Sequence, residues 1–211
     1  MDWKRKCLRN FKLYAITDLT QQDPEILEKI NAALRGGVDV IQLRSTALSD
    51  RVLFELGRKI RDVTRRQKKL FIVNDRTDLM LAVDADGVHL GQDDLPIKQA
   101  RRIIGHSKKI IGRSTHSLEQ AVEAEGDGAD YIGFGPLFRT PTKPTYTPVG
   151  LRMIPQVLRR VSIPVVFIGG IDSSNVQSVL QAGANRVAVV RAIFSAQNPY
   201  RAAKRLRSKI P

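Results

Sequence analysis

The chain has 211 residues, 42% hydrophobic and 27% charged, which supports one folded domain and argues against disorder. Its 35 Lys and Arg against 21 Asp and Glu give a formal net charge of +14, with basic residues crowded at both ends. That charge attracts anions and raises nucleic acid as an alternative partner, which the lack of a matching motif disfavours. Cys7 is the single cysteine, which excludes an internal disulfide and a thiolate metal cluster.

The hydrophobic runs are too short to cross a membrane, and no apolar stretch of a secretion signal follows the basic N-terminus. We therefore expect a soluble cytoplasmic protein without nucleic-acid or membrane partners, and a homo-oligomer is compatible with the sequence. Residues 1–12 are predicted to be a basic N-terminal extension and residues 13–211 a single catalytic domain.

Eight short apolar runs alternate with longer amphipathic stretches. Nearly continuous apolar character is typical of parallel strands buried on both faces. The predicted strands are Leu13–Ile16, Val38–Leu43, Leu70–Val73, Gly87–Leu90, Ile110–Gly112, Tyr131–Phe134, Val165–Ile168 and Val187–Val190. Helical periodicity predicts helices at Pro24–Leu34, Ser49–Arg66, Ser117–Glu125, Ser173–Ala182 and Pro199–Ile210. Eight strand–helix units without a linker predict a single-domain (β/α)8 TIM barrel, with an open doubly wound α/β sheet as the alternative.

Polar residues gather directly after the predicted strands, where the active sites of such barrels are built. Asp75 and Asp94 follow neighbouring strands, and two carboxylates suit Mg²⁺, which completes its shell with waters and phosphate oxygens. Asp93 is an alternative ligand to Asp94. The plainer interpretation makes either predicted ligand a helix cap or a partner of Arg76.

Further candidates lie in the later loops. Gly169-Gly170 follows the seventh strand, and the loops after strands seven and eight commonly bind phosphate in this fold. The hydroxyl-rich segment from Arg139 to Gly150 carries Lys143 and has the composition of a lid over phosphates, with a plain surface loop as the alternative. His116 sits at a strand end, where a histidine either transfers protons or has a structural role.

Several segments together resemble the thiamine-phosphate synthase and thiazole tautomerase superfamily, and the synthases most of all. The resemblance runs in order from about Leu13 to Ile210. Its segments are Gln42-Leu43-Arg44, Phe71-Ile72-Val73-Asn74-Asp75-Arg76, Asp86-Gly87-Val88-His89-Leu90-Gly91-Gln92-Asp93-Asp94, Gly112-Arg113-Ser114-Thr115-His116, Thr140-Pro141-Thr142-Lys143 and Ile168-Gly169-Gly170-Ile171.

The resemblance implies a transferase of thiamine biosynthesis. In that reaction 4-amino-2-methyl-5-(diphosphooxymethyl)pyrimidine loses pyrophosphate, and the nitrogen of a thiazole phosphate attacks the exposed methylene carbon. By position, Asp75 and Asp94 would hold Mg²⁺. The catalytic set would be Arg44, Ser114, Lys143 and His116. The pyrimidine diphosphate would lie against Gln42, Arg44, Thr46, Asn74, Ser114 and Lys143, and the thiazole phosphate against Thr140, Thr142, Gly170, Val190 and Arg191.

Two departures from the family pattern bear on this assignment. Thr46 stands where the family usually has a lysine, and losing that cation is expected to slow the reaction roughly tenfold to a hundredfold. Arg191 stands where the family often has serine, and it adds a cation close to the thiazole phosphate. The alternative is a thiazole tautomerase, which isomerises a thiazole carboxylate phosphate with a histidine matching His116. The paired aspartates and the Thr-x-Thr-Lys segment favour the synthase.

Overall fold

A computed structural model describes residues 3–142 and 145–211 of the chain. Eight parallel strands pair in chain order, and the eighth pairs with the first to close a barrel. The strands are β1 (Leu13–Ile16), β2 (Val40–Leu43), β3 (Leu70–Asn74), β4 (Gly87–Leu90), β5 (Ile110–Thr115), β6 (Tyr131–Phe134), β7 (Val165–Phe167) and β8 (Val187–Val189). The predicted (β/α)8 barrel is confirmed, and the open doubly wound sheet is wrong.

One helix precedes the first strand, and the other helices follow the strands around the outside of the barrel. In chain order the helices are α1 (Trp3–Asn10), α2 (Ile26–Arg35), α3 (Asp50–Arg66), α4 (Thr77–Ala82), α5 (Ile97–Ile104), α6 (Leu118–Gly126), α7 (Met153–Arg160), α8 (Val176–Gln181), α9 (Arg191–Phe194) and α10 (Pro199–Arg207). The sequence pattern does not predict α1, α4, α5, α7 or α9. Each spans eight residues or fewer, so about two turns at most carry the periodic signal.

Alternate strand residues face the barrel interior and the surrounding helices. The interior cluster contains Tyr14, Val40, Leu70, Ile110, Tyr131, Val166 and Ala188. The intervening residues pack against the helices in a larger cluster, for example Leu13, Ile41 and Phe71. Because successive side chains of a strand point to opposite faces, Gln42, Asn74, His89 and Ser114 also point inward, toward the C-terminal end of the barrel.

Helix α1 covers the N-terminal end of the barrel. Leu8 and Phe11 are buried in the interior cluster, and the ring of Phe11 meets those of Tyr14 and Tyr131 edge-on at 6.0 and 6.3 Å. The predicted boundary between an extension at 1–12 and the barrel stays a prediction. In the described part of the chain, no helix is both long and apolar enough to cross a membrane.

Three aspartates join neighbouring strands at the N-terminal end of the barrel. Each carboxylate accepts a hydrogen bond from a backbone N–H of a neighbouring strand. The three pairs are Leu13 to Asp39, Phe71 to Asp86 and Ile111 to Asp130. Each also pairs with a basic side chain, and the list of pairs is Lys69–Asp39, Arg61–Asp86, Lys4–Asp86, Arg101–Asp130 and Arg5–Asp130. In this fold the N-terminal face serves stability, and these contacts fit that division.

Candidate active site

A cavity of about 480 Å³ opens at the C-terminal end of the strands. That volume lies within the range of roughly 300 to 1,000 Å³ that small-molecule sites occupy. Its lining includes most of the residues predicted from the sequence, namely Gln42, Arg44, Asn74, Asp75, Asp94, Ser114, His116, Thr140, Thr142, Gly170, Val190 and Arg191. Thr46 is exposed and is not among the described lining residues. Lys143 lies outside the described residues.

Asp75 sits at the carboxyl end of β3 with a backbone φ of +61°. Aspartate is one of the few residues that visit this left-handed region readily, and such outliers concentrate at functional sites. Its N–H donates to the carbonyl of His89 at 2.8 Å, and the Asn74 amide donates to its carboxylate at 2.5 Å. The two neighbouring strands therefore fix the backbone that presents this carboxylate to the cavity.

Arg76 is bound to residues on the neighbouring helices. It donates to Asp50 on α3 and to Asp78 on α4. Its hydrogen bonds lower the pKa of the Asp78 carboxyl to about 2, and these partners raise the pKa of the Arg76 guanidinium. This guanidinium is thus committed to two aspartates outside the cavity lining.

Asp94 is held by the turn between β4 and α5. The Gly91 N–H donates to its carboxylate at 2.5 Å, and a Cβ at Gly91 would lie only 2.9 Å from the same oxygen. Gln92 anchors the turn by donating to the carbonyl of Ser114 at 2.5 Å. Helix α5 begins at Ile97 with Pro96 as its N-cap, so Asp94 is not the cap of that helix.

The oxygen donors here suit a hard divalent cation. Asp75, Asp93 and Asp94 all line the cavity, and Mg²⁺ is commonly held by one or two carboxylates, with waters and phosphate oxygens filling its shell. Within residues 3–142 and 145–211 there is no group of three or more His, Cys, Asp or Glu side chains arranged to hold a metal. The donor set fits Mg²⁺ shared with a phosphorylated ligand better than a site made of protein side chains alone.

Arg44 brings a positive charge to the same side of the mouth. It follows β2 and forms an ion pair with Asp18, which follows β1. Its backbone N–H donates to the Thr17 hydroxyl at 2.9 Å. Both partners of the ion pair are largely shielded from solvent, with 18% and 23% of their side chains exposed. The guanidinium is thus held at the cavity, where it can bind an anionic ligand.

His116 follows β5 and is fixed on several sides. Its Nδ1 lies 2.5 Å from the carbonyl of Gly135, which can only accept, so the proton is on Nδ1. Its backbone N–H donates to Gln120 at 2.7 Å, and its ring lies 4.5 Å from that of Tyr146. These contacts connect β5, β6 and the loop that follows β6.

The turn after β7 exposes backbone to the cavity. Gly169 and Gly170 both have positive φ, at 101° and 65°. A Cβ at Gly170 would lie 2.7 Å from the carbonyl oxygen of Arg139, so only glycine fits there. Asn175 donates to the Gly170 carbonyl at 2.8 Å, and hydrogen bonds from Ser174 hold the pKa of the Asp172 carboxyl below its usual range. This rigid turn suits close approach of a phosphate.

Sequence reasoning assigned no site role to four polar lining residues, which are His89, Gln92, Tyr146 and Asp172. Gln92 and Asp172 come shortly after strands β4 and β7, so the rule that selected the other candidates applies to them too. Tyr146 lies inside the segment predicted as a lid, and a single aromatic ring in a hydroxyl-rich loop gives no sign that it lines the cavity.

An eight-stranded barrel with a polar cavity at the carboxyl ends of its strands has the architecture of the (β/α)8-barrel enzymes. The profile of the thiamine monophosphate synthase family matches residues 13–193. The chain belongs to this family. That match spans every strand and every cavity residue named above.

Named relatives agree with the family profile. A thiamine-phosphate synthase of Gloeobacter violaceus is 47% identical over 190 residues, which cover 90% of this chain and 54% of that protein. One of Chloroflexus aurantiacus is 45% identical over 203 residues, covering 95% of this chain and 93% of the relative. This chain therefore spans about half the length of the Gloeobacter relative and nearly all of the Chloroflexus one.

A solved structure shows the same fold. Thiamine phosphate pyrophosphorylase from Pyrococcus furiosus superimposes with a TM-score of 0.87 at 41% identity, covering 98% of this chain and 96% of the other. The resemblance to the thiamine-phosphate synthase family that the sequence predicts is confirmed. The comparisons give no support to the tautomerase alternative.

Proposed function

We propose that this chain is a thiamine-phosphate synthase that joins a pyrimidinylmethyl diphosphate to a thiazole phosphate and releases pyrophosphate. The observation that carries the proposal is the distribution of residues around one cavity. Arg44, Asn74, Asp75, Asp94 and Ser114 come from the arc β2 to β5, which suits a metal-bound diphosphate. The opposite arc, β6 to β8, contributes the Gly170 turn and the side chains of Thr140, Thr142 and Arg191. Two anionic substrates can thus face each other across a single cavity.

The reaction breaks the bond between the methylene carbon and the diphosphate oxygen, whose electron pair leaves with pyrophosphate. The lone pair of the thiazole nitrogen then forms the new carbon–nitrogen bond. Negative charge grows on the leaving group, and fixed donors aimed at it lower the barrier. Arg44 and the Ser114 hydroxyl are two protein donors on that side of the cavity, and Lys143 is proposed as a third.

Asp75 and Asp94 are proposed to hold Mg²⁺, with Asp93 as an alternative ligand. When bound, the metal neutralises charge on the leaving diphosphate. The aspartates present their carboxylates from backbones fixed by His89 and Gly91, so they are already oriented before ligand arrives. Gln42 and Asn74 are proposed to lie against the pyrimidine, and Thr46 and Val190 stay predicted contacts.

The substrates and the product are charged small molecules, and Arg191 adds a cation to the cavity wall where the family often has serine. We propose that Arg191 lies close to the thiazole phosphate and partly replaces the positive charge missing at Thr46. The cytoplasmic location and a homo-oligomeric state stay predictions.

A product assay tests the proposal. The full chain is mixed with both phosphorylated substrates, with Mg²⁺ and then with excess chelator. We expect equal amounts of thiamine phosphate and pyrophosphate, and their loss on chelation. Absence of product at every Mg²⁺ concentration would overturn the proposal. Isomerisation of thiazole carboxylate phosphate that survives chelation and disappears in His116→Asn would support the tautomerase instead.

Gly170→Ala is expected to raise KM for the thiazole phosphate about tenfold. An alanine in the left-handed region costs roughly 1–2 kcal/mol, and its Cβ would clash with the carbonyl of Arg139, so the turn should shift away from the phosphate. KM for the pyrimidine diphosphate should change far less. The matched control is Gly105→Ala, because Gly105 has almost the same φ of +64° but no atom within 4 Å of an added Cβ. Equal changes in both KM values of the Gly170 variant would argue against a thiazole phosphate at this turn.

A further inference from the structure

A chain of hydrogen bonds crosses the barrel interior beneath the cavity. The Gln42 amide donates to the Tyr14 hydroxyl at 2.7 Å, and this hydroxyl lies 2.9 Å from that of Tyr131. The Tyr131 hydroxyl lies 2.9 Å from Nδ1 of His89, whose Nε2 lies 2.9 Å from the Ser114 hydroxyl. Five strands contribute one residue each. This chain of hydrogen bonds joins Gln42, the proposed pyrimidine contact, to Ser114, a proposed diphosphate contact.

The barrel is shaped to hold this chain. Gly112 leaves room for the Tyr131 ring, since a Cβ there would lie 2.2 Å from the ring and 2.5 Å from its hydroxyl. Gly133 does the same for His89, with an added Cβ only 3.2 Å from the imidazole. Phe11 packs edge-on against the rings of both tyrosines. These contacts hold the hydroxyls and the imidazole in hydrogen-bonding positions.

The donor in one hydrogen bond of this chain determines the donor in the next, from Gln42 to Ser114. Burial raises the pKa of the Tyr14 and Tyr131 hydroxyls well above the usual value, so each keeps its single proton and can donate once. Gln42 donates to Tyr14, and each buried hydroxyl proton needs an acceptor of its own. If every hydroxyl proton stays within this row of hydrogen bonds, Tyr14 donates to Tyr131 and Tyr131 donates to Nδ1 of His89. A neutral imidazole then has its proton on Nε2 and donates it to Ser114.

The two ends of the chain consequently present complementary groups. In that arrangement the Ser114 hydroxyl already accepts one hydrogen bond and can donate its own proton into the cavity. Gln42 lines the cavity and uses its amide N–H inside the barrel, which leaves its carboxamide oxygen to accept from a ligand. If every hydrogen bond were reversed, Ser114 would present an acceptor to a ligand in the cavity, and Gln42 would present a donor. A diphosphate oxygen can only accept, so an anion at Ser114 selects the first arrangement.

We infer that Tyr14, Tyr131 and His89 are positioning residues that make Ser114 a donor and Gln42 an acceptor together. An anion at Ser114 is thereby coupled to recognition of a ring amino group at Gln42. This inference rests on the proposed function for the identity of the two ligands. None of the three positioning residues needs to contact the reacting atoms.

The first test reads the His89 tautomer by ¹⁵N NMR of imidazole-labelled protein with magnesium pyrophosphate as the anion. The chain has three histidines, so His106→Gln and His89→Asn variants assign the signals. We expect a neutral Nε2–H imidazole at His89. We expect mixed tautomers in Tyr131→Phe, which removes the donor to Nδ1, and an unchanged tautomer in the packing control Phe11→Leu. An Nδ1–H or cationic imidazole in the wild type overturns the inference.

The second test measures discrimination at Gln42. The ratio of kcat/KM for the amino substrate to that for an analogue with oxygen in place of the amino group should fall about tenfold in Tyr14→Phe, the effect of about one hydrogen bond. Phe11→Leu should keep the wild-type ratio. An unchanged ratio in Tyr14→Phe overturns the coupling. If the wild type forms no product, the proposed function fails. The NMR result still decides whether the hydrogen bonds run from Gln42 to Ser114 as inferred.

Discussion

Asparagine in place of Asp75 or Asp94 is expected to lower kcat/KM for thiamine phosphate formation by about 10²- to 10⁴-fold, since a metal on the leaving diphosphate contributes several kcal/mol. Asparagine keeps the shape and one oxygen of the side chain but removes its charge. Both carboxylates line the cavity from adjacent strands, so each variant should also need more Mg²⁺ for half-maximal rate. Initial rates across a Mg²⁺ titration measure both effects.

Asp78→Asn is the control for this experiment. Asp78 lies on α4, three residues beyond Asp75, and pairs with Arg76. It is not among the described residues of the cavity wall, so its substitution should leave the Mg²⁺ dependence unchanged. Wild-type rates for both Asp75→Asn and Asp94→Asn at limiting Mg²⁺ would contradict the proposed metal site. A loss in Asp93→Asn but not in Asp94→Asn would move the second ligand to Asp93.

The second large effect is expected on stability, at Asp86. This fully buried carboxylate accepts from Arg61 at 2.8 Å and from the Phe71 N–H at 3.0 Å, and Lys4 lies 3.0 Å away. Asp86→Asn leaves the nearly buried Arg61 guanidinium without a counter-charge. Removing one partner of a buried ion pair costs about 3–5 kcal/mol, so the free energy of unfolding in urea should fall by that amount.

Asp84→Asn is the matched comparison, since Asp84 also pairs with an arginine and a lysine but is 60% exposed. Exposed pairs contribute about 0–1 kcal/mol, so this variant should unfold close to the wild type. Similar losses at the two positions would show that burial of Asp86 does not determine its effect. The Asp86 contacts lie at the end of the barrel opposite the cavity, so the folded variant should keep its KM values.

The barrel could be predicted from the sequence because each strand is a short, almost wholly apolar run. The ends of strands were less predictable. Strand β5 continues past the predicted end at Gly112 to Thr115, although Arg113 and Ser114 are polar. Ser114 points toward the cavity at the end of the barrel, and Arg113 points outward and donates to the carbonyl of Gln92 at 3.2 Å, so both polar side chains are compatible with strand pairing.

The site was predictable where one rule applied, that residues after barrel strands converge at one end. That rule found Asp75, Asp94, Ser114 and Gly170 without any distance information. It could not show that His89, which lies within the predicted strand Gly87–Leu90, also lines the cavity and bonds to Ser114. Nor could it find Tyr14 and Tyr131, because a tyrosine inside an apolar run gives no sign that its hydroxyl meets another one across the barrel.

The proposed arrangement of metal and substrates is tested most directly by a crystal structure of the chain with thiamine phosphate, pyrophosphate and Mn²⁺ in place of Mg²⁺. We predict an anomalous Mn²⁺ peak at the carboxylates of Asp75 and Asp94, with pyrophosphate between the metal and Arg44. The phosphate of the product should lie at the Gly170 turn. Metal or pyrophosphate bound away from this cavity, with the cavity accessible in the crystal, would contradict the account.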